Sequence, residues 1–340
     1  MDNKHKTRLG ITIGDTNGIG PEVIVKTLSD QRILNYCTPV IYASAGLMNK
    51  VRKSLNADHF HFQQAASAEA LVPRKINVVN CWEEDPELEP GTPTPASGKA
   101  SLDSLLAASK DLKAGLIDGI VTAPIDKDNI QAEDFKFPGH TEFLTSYFDA
   151  ADSLMLLVSG DLRVATVTGH IPVKDVASKL SFDLLIRKIT ILTESLRRDF
   201  GILKPRIAVL GLNPHAGEKG LLGTEETDII RPAVLYLKEK GHLVFGPFPA
   251  DGFFGMRQYQ QVDAVLSMYH DQGLIPFKTL AMESGVNYTA GLSVVRTSPD
   301  HGTAYDIAGK QLADETSFRE ALFLACDIVK KRVSEQMPAV

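Results

Sequence analysis

The sequence predicts an α/β protein whose sheet is mainly parallel. Three observations predict it. Short, nearly continuous apolar runs alternate with longer segments of helical periodicity, as in strands covered on both faces and joined by crossover helices. Glycine, proline and polar clusters punctuate the boundaries between them. The length of 340 residues, 44% of them apolar, suits about two domains that need no disulfide staples.

Taken in order, strands are expected at 8–13, 39–42, 76–80, 119–122, 154–158, 164–168, 207–212 and 264–268. The helix expected at 21–29 opens on Pro21 and Glu22. Its first amides have no partner to lose, and the helix dipole favours an early negative charge. The helix at 99–113 spaces leucines and alanines helically. Those at 181–200 and 224–240 open on Ser181 with Asp183 and on Thr224-Glu225-Glu226, which are caps followed by acidic first turns. The helix at 317–333 ends in Lys330, Lys331 and Arg332. One segment breaks the rhythm. Residues 83–98 hold five acidic residues and four prolines and read as a surface loop, a solvated connector.

Composition excludes several classes. Thirty-six basic against 42 acidic residues give a net charge of −6, which argues against a nucleic-acid surface but leaves room for a local basic pocket. No run approaches the roughly 18 apolar residues of a membrane span. The polar start, Met1-Asp2-Asn3-Lys4-His5-Lys6, leads straight into a strand, unlike a signal peptide. Cys37, Cys81 and Cys326 are odd in number and far apart, so neither a disulfide framework nor a cysteine zinc site is expected, and a cytoplasmic location is.

Chemistry gathers where predicted strands end. Gly14-Asp15-Thr16-Asn17-Gly18-Ile19-Gly20 joins a strand to a helix, but its glycine spacing is not that of a Rossmann turn. Such a turn either offers free amides to an anion or simply serves the fold. Gly14, Asp15, Gly18 and Gly20 are the candidate cofactor contacts. His170, His215 and His270 each lie at or just past the carboxyl end of a predicted strand, where open α/β sheets bind ligands. Three imidazoles suit a catalytic metal with an open position, and Asp271 suits orienting one of them. Taken singly, each reads more readily as a satisfied polar residue, and it is the three in one topological position that favour a ligand site. His140 and Thr141 open an apparent helix after Gly139, which suits either a phosphate or an ordinary cap. Lys278, Asn287 and Arg296 are candidates to hold an anionic substrate, Arg296 by a bidentate contact. Asp251, in a Gly/Pro turn, and Asp271 are the candidate proton carriers.

These segments resemble the 4-hydroxythreonine-4-phosphate dehydrogenase family. The matching stretches are 14–22, 122–124, 138–143, 168–170, 211–217, 223–226, 249–251, 268–273 and 285–306, in family order along nearly the whole chain. The runs from Gly211 to Glu218 and from Met268 to Gly273 are the most specific. The resemblance implies a fold like isocitrate and isopropylmalate dehydrogenases, with two α/β/α domains flanking a cleft. The first would comprise 1–125 and 292–340, the second 126–291 with a dimer interface. It implies NAD or NADP bound in a manner unlike a Rossmann fold, and a homodimer with shared active sites. It assigns one divalent metal (Zn, Mg or Co) per site to His170, His215 and His270, one of them reaching from the partner chain. It assigns substrate contacts to His140, Thr141, Lys278, Asn287 and Arg296. The implied reaction oxidises 4-phosphooxy-L-threonine to a 3-keto acid that decarboxylates to 3-amino-2-oxopropyl phosphate, in pyridoxal 5′-phosphate biosynthesis. Rival readings are a 4-phospho-threonate or 4-phospho-erythronate dehydrogenase and a non-catalytic phosphate-ester-binding protein. The chain departs from the family pattern at Thr16-Asn17, where Pro-Ala is usual, and along Ala281-Met282-Glu283-Ser284-Gly285.

Overall fold

A computed structural model describes residues 6–131 and 135–336 of the chain; the polar start from Met1 to His5 lies outside them. The α/β class is as predicted. The chain divides into two compact units, Met1–Ala150 with Leu292–Lys330 and Ala151–Gly291 with Lys331–Val340.

The first unit is built on β1 (Thr7–Thr12), β2 (Cys37–Ala43), β3 (Phe62–Ala65), β4 (Ile76–Asn80), β5 (Gly119–Thr122) and β12 (Arg296–Pro299). Their order is β3-β4-β2-β1-β5-β12, and every pairing is parallel. Leu9, Ile11, Val40, Ile41, Ile120 and Val121 are fully buried, as strands covered on both faces require. The helices are α1 (Gly20–Leu28), α2 (Ala45–Ser54), α3 (Pro95–Lys113), α4 (His140–Tyr147) and most of the last helix, Thr316–Gln336. Helix α3 starts earlier than the spacing of leucines predicts. Thr94 caps it, exchanging bonds with Ser97 in a capping box, and Pro95 sits where no amide is needed.

The acidic segment before α3 is more than a solvated connector. Asn17 is fully buried beneath it. The Asn17 Nδ2 donates to Thr92 O at 2.8 Å, and its Oδ1 and backbone O accept from the amides of Glu89 and Gly91 at 2.9 and 2.8 Å. Further back, the Asp85 carboxylate accepts from the hydroxyl of Ser44, the N-cap of α2. The departure at Thr16-Asn17 is thus the anchor of this segment.

The second unit contains β6 (Leu154–Ser159), β7 (Leu162–Thr166), β8 (Arg206–Leu210), β9 (Leu243–Phe248), β10 (Ala264–Ser267) and β11 (Val286–Ala290). The order is β11-β6-β7-β10-β8-β9. Strand β6 runs antiparallel to both β7 and β11, and the other pairings are parallel. Its main helices are α5 (Phe182–Arg198), α6 (Arg231–Glu239) and α7 (His270–Ala281). The helix expected at 224–240 begins instead as a π-helical turn, Glu226–Ile230, before α6. Strands β3, β9, β11 and β12 are additions to the eight expected. Polar residues or glycine and proline interrupt their apolar pattern, as in Phe62-Gln63-Gln64 and Gly246-Pro247. Among the described residues, no helix is long and apolar enough to cross a membrane.

Candidate active site

In the first unit, parallel pairing sets the ends of β5 and β12 side by side. Arg296, the first residue of β12, is 3% exposed, so its charge needs partners within the fold. Its Nε and Nη2 donate to Thr122 Oγ1 at 3.1 and 2.8 Å, and Nη2 lies 3.4 Å from His140 Nδ1. Burial lowers the guanidinium to about 10, opposed by the Glu142 carboxylate, so it stays charged at neutral pH. Burial also drives His140 well below the usual histidine range, and the charges of Arg296 and Lys127 push the same way. The ring is therefore neutral. A guanidinium only donates, so Nδ1 facing it is the acceptor and the ring proton belongs on Nε2. That Nε2 is buried without a hydrogen-bond partner among the described residues. A neutral donor beside a buried cation is what an anionic oxygen would meet. Thr141 follows in the first turn of α4, half-buried, where helix amides favour negative charge.

Four amides of the turn at Gly14–Gly20 are bonded within the fold. The amides of Asp15, Gly18 and Ile19 donate to Pro124 O, Asp15 O and Thr303 O, and that of Asn17 to Asp15 Oδ1. Asp15 Oδ2 accepts from Ser97 Oγ at 3.1 Å and Asn129 Nδ2 at 3.0 Å. A Cβ at Gly14 would stand 2.4 Å from Pro124 O, so this residue with φ +71° must be glycine.

In the second unit, three bonds hold the end of β7 against that of β10. Val167 N donates to Ser267 O, Thr168 N to Met268 O, and Thr168 Oγ1 to Met268 O. The chain then delivers His170 and His270 together, with ring centroids 5.4 Å apart. They line a cavity of about 160 Å³ with Gly169, Ile171, Val173, Val176, Tyr269 and Asp271. Asp271 Oδ1 lies 2.7 Å from His270 Nδ1. A carboxylate there fixes the tautomer and leaves Nε2 as the ring's ligating atom.

His215 is not on that cavity wall. It follows β8 in an unusual left-handed run. Five consecutive residues, His215 to Lys219, have φ between 41° and 78°. Each of the non-glycine residues among them pays about 1–2 kcal/mol for that conformation. Among the described residues, no group of three His, Cys, Asp or Glu side chains could hold a metal ion. One chain therefore brings together two of the three expected imidazoles. Lys278 lies half-buried near the end of α7, and Asn287 on β11 has a buried Oδ1 without a hydrogen-bond partner among the described residues. Asp251 is exposed in the first turn of the helix Ala250–Gly255 and does not line the cavity.

Sequence reasoning missed Thr122, Gln272 and Glu226. Gln272 ties two strand ends together, accepting from Met268 N at 2.7 Å and donating to Gly211 O at 2.6 Å. Glu226 accepts from Asn213. Their signal was their place inside the family-matching stretches 122–124, 223–226 and 268–273.

A buried guanidinium with a neutral imidazole, and paired imidazoles at strand ends, define an α/β enzyme acting on a small anionic molecule. The chain belongs to the family described as pyridoxal phosphate biosynthetic protein PdxA, whose sequence pattern matches residues 35–325. A 4-hydroxythreonine-4-phosphate dehydrogenase of Bacteroides thetaiotaomicron is 51% identical over 99% of this chain and 93% of its own. One from a Sulfurihydrogenibium species is 40% identical, over 96% of this chain and 99% of its own. The crystal structure of a 4-hydroxythreonine-4-phosphate dehydrogenase from Klebsiella pneumoniae matches with TM-score 0.81 and 35% identity, over 96% of this chain and 99% of that one.

Proposed function

We propose that this chain oxidises 4-phosphooxy-L-threonine, with NAD or NADP as hydride acceptor, in pyridoxal 5′-phosphate biosynthesis. The observation that carries the reading is the 51% identity, across nearly the full chain, to a dehydrogenase named for that substrate. The secondary alcohol loses its hydroxyl proton to a base and its C–H hydride to the nicotinamide ring. The resulting 3-keto acid breaks its bond to the carboxylate and releases carbon dioxide. The electron pair left behind forms an enolate, which takes up a proton to give 3-amino-2-oxopropyl phosphate.

In the first unit, Arg296, His140 Nε2 and Thr141 take an anionic end of the substrate. Charge-assisted and directional donors suit phosphate or carboxylate oxygens. In the second unit, Lys278 and Asn287 are further substrate contacts, and Asp271 or Asp251 moves the proton. A divalent ion (Zn, Mg or Co), when bound by His170, His270 and His215, supplies Lewis-acid stabilisation of the alkoxide and enolate oxygen. The donor set suits such an ion, since the His170–His270 pair is backed by a carboxylate. The third imidazole then comes from a second copy of the chain, which makes the enzyme a homodimer with shared sites. The free thiols Cys37, Cys81 and Cys326 suit a cytoplasmic location.

The test is a substrate panel followed by nicotinamide reduction, with NAD and NADP, with and without chelator. Turnover of 4-phosphooxy-L-threonine that chelator abolishes and divalent metal restores is expected. Turnover of 4-phospho-threonate or 4-phospho-erythronate alone would assign the enzyme to sugar-acid catabolism instead.

A further inference from the structure

We propose that Glu226 is a positioning residue for His215, acting through Asn213 and touching no reactant. The left-handed run that carries His215 cannot hold its shape by local preference, because L-residues adopt that conformation singly and not in series. Something outside the run must impose it. Three points around His215 bear on a single carboxylate. Asn213 N donates to Glu226 Oε1 at 2.7 Å, and Asn213 Nδ2 donates to Glu226 Oε2 at 3.0 Å. A Cβ at Gly211 would stand 3.0 Å from Oε1, and one at Gly217 would stand 2.5 Å from Oε2. Both glycines are thus packed against the acid, one on each side of the histidine.

Asn213 is locked on its remaining groups as well. Its Nδ2 also donates to Glu225 Oε2 at 2.7 Å, and its backbone O accepts from Ala216 N, closing a turn around Pro214 and His215. Glu226 itself is 1% exposed. It opens a π-helical turn, a wide turn found frequently at functional sites. On the other side, Gly211 O is held by Gln272, two residues beyond His270. The frame that fixes the His215 loop is therefore tied to the segment that presents His270. A buried carboxylate at the hub suits this task because it accepts from several donors at once and offers none.

The part of this inference that concerns ligand presentation rests on the proposed assignment of His215 to the metal. The test uses the full chain and the variants E226A, E226Q, N213A and H215A. Two readouts are needed: amide hydrogen exchange of the peptide spanning 211–223, and cobalt(II) titration followed by its visible spectrum. In E226A, exchange in that peptide should quicken at least about tenfold while β1 stays as in the parent. Cobalt binding should weaken about 10- to 100-fold, the usual cost of losing an outer partner of a ligand. E226Q keeps one acceptor but turns an amide donor toward Asn213 Nδ2, so it should fall between parent and E226A. If E226A does not fold, E226Q and N213A carry the same comparison. A folded E226A with parental exchange and parental cobalt affinity overturns the proposal. So does faster exchange with unchanged cobalt affinity, provided H215A does lose cobalt, because Glu226 would then only shape a loop. If H215A binds cobalt like the parent, the metal assignment of His215 fails, and exchange alone decides the positioning.

Discussion

Arg296 illustrates how a buried charge becomes a binding group. Two of its nitrogens donate to the Thr122 hydroxyl and one of them faces the neutral His140 ring, which sets a permanent positive charge among polar groups at the strand ends. Hydrogen bonds to charged groups contribute about 1.5–3 kcal/mol each. Arg296→Ala should therefore raise KM for the phosphorylated substrate about 10- to 150-fold with a smaller change in kcat. Arg296→Lys should recover only part, since an ammonium cannot replace a planar fork. Steady-state kinetics on purified variants decide this, and an Arg296→Ala enzyme with the parental KM removes the residue from the clamp. At this scale the sequence revealed residue types at strand ends but not their partners. Arg296 was visible at the end of an apolar run, whereas Thr122 and His140 meet it only because β5 pairs with β12. The amides of the glycine turn looked available in sequence and are bonded within the fold, because Thr303 and Pro124 arrive from distant segments.

At the scale of elements, the end of the last helix shows how a buried carboxylate is held within the second unit. Arg332, near its end, donates from Nε to Asp199 at 2.7 Å. Asp199 caps α5 and also accepts from Ser195 Oγ and Tyr288 OH at 2.6 Å and from Arg198 Nε at 2.9 Å. Burial alone would raise this carboxyl, but Arg332, Arg198 and Ser195 outweigh it, and it lies below the usual range. Its stabilising contribution is thus present above the unfolded carboxyl value of about 3.9 and is lost as pH falls through the folded value. Asp199→Asn should destabilise the protein by about 1.5–3 kcal/mol at neutral pH, since it removes the negative charge that the half-buried Arg332 guanidinium faces. It should also flatten the acid limb of the stability curve. Denaturant titrations at neutral and acid pH measure both, and an unchanged neutral stability would show the cluster to be dispensable. The basic end of this helix was legible from Lys330, Lys331 and Arg332, but its partner was not, being far away in sequence. The eight strands with clean apolar runs were legible too. Strands β3, β9, β11 and β12 were not, because edge positions and polar pairings dilute the pattern that burial on both faces imposes.

At the scale of the whole molecule, the question is what completes the pair of imidazoles. The proposed metal would need three protein ligands, and among the described residues one chain brings two of the expected imidazoles together. Each histidine-bearing segment also turns a large apolar side chain out to solvent. Val173 follows His170 at 72% exposure, Leu221 follows the His215 run at 77%, and Ile275 lies on α7 after His270 at 64%. Scattered exposed apolar residues are ordinary. One on each of the three segments proposed to share a metal suits a surface covered by a second copy of the chain. The resemblance read from Gly211–Glu218 and Met268–Gly273 carried the same implication, but no composition or spacing in one chain can show a ligand supplied by another. Ile275→Glu places a charge that would have to be desolvated at such an interface, so it should shift the protein from dimer to monomer in sedimentation equilibrium. The monomer should keep its far-ultraviolet circular dichroism, lose turnover, and bind cobalt(II) more weakly by at least about tenfold, in line with the loss of one ligand or its support. Raising protein concentration should restore dimer, metal affinity and activity together, because all three depend on the same association. A monomeric variant that retains parental turnover and metal affinity would place all three ligands within one chain and end the shared-site reading.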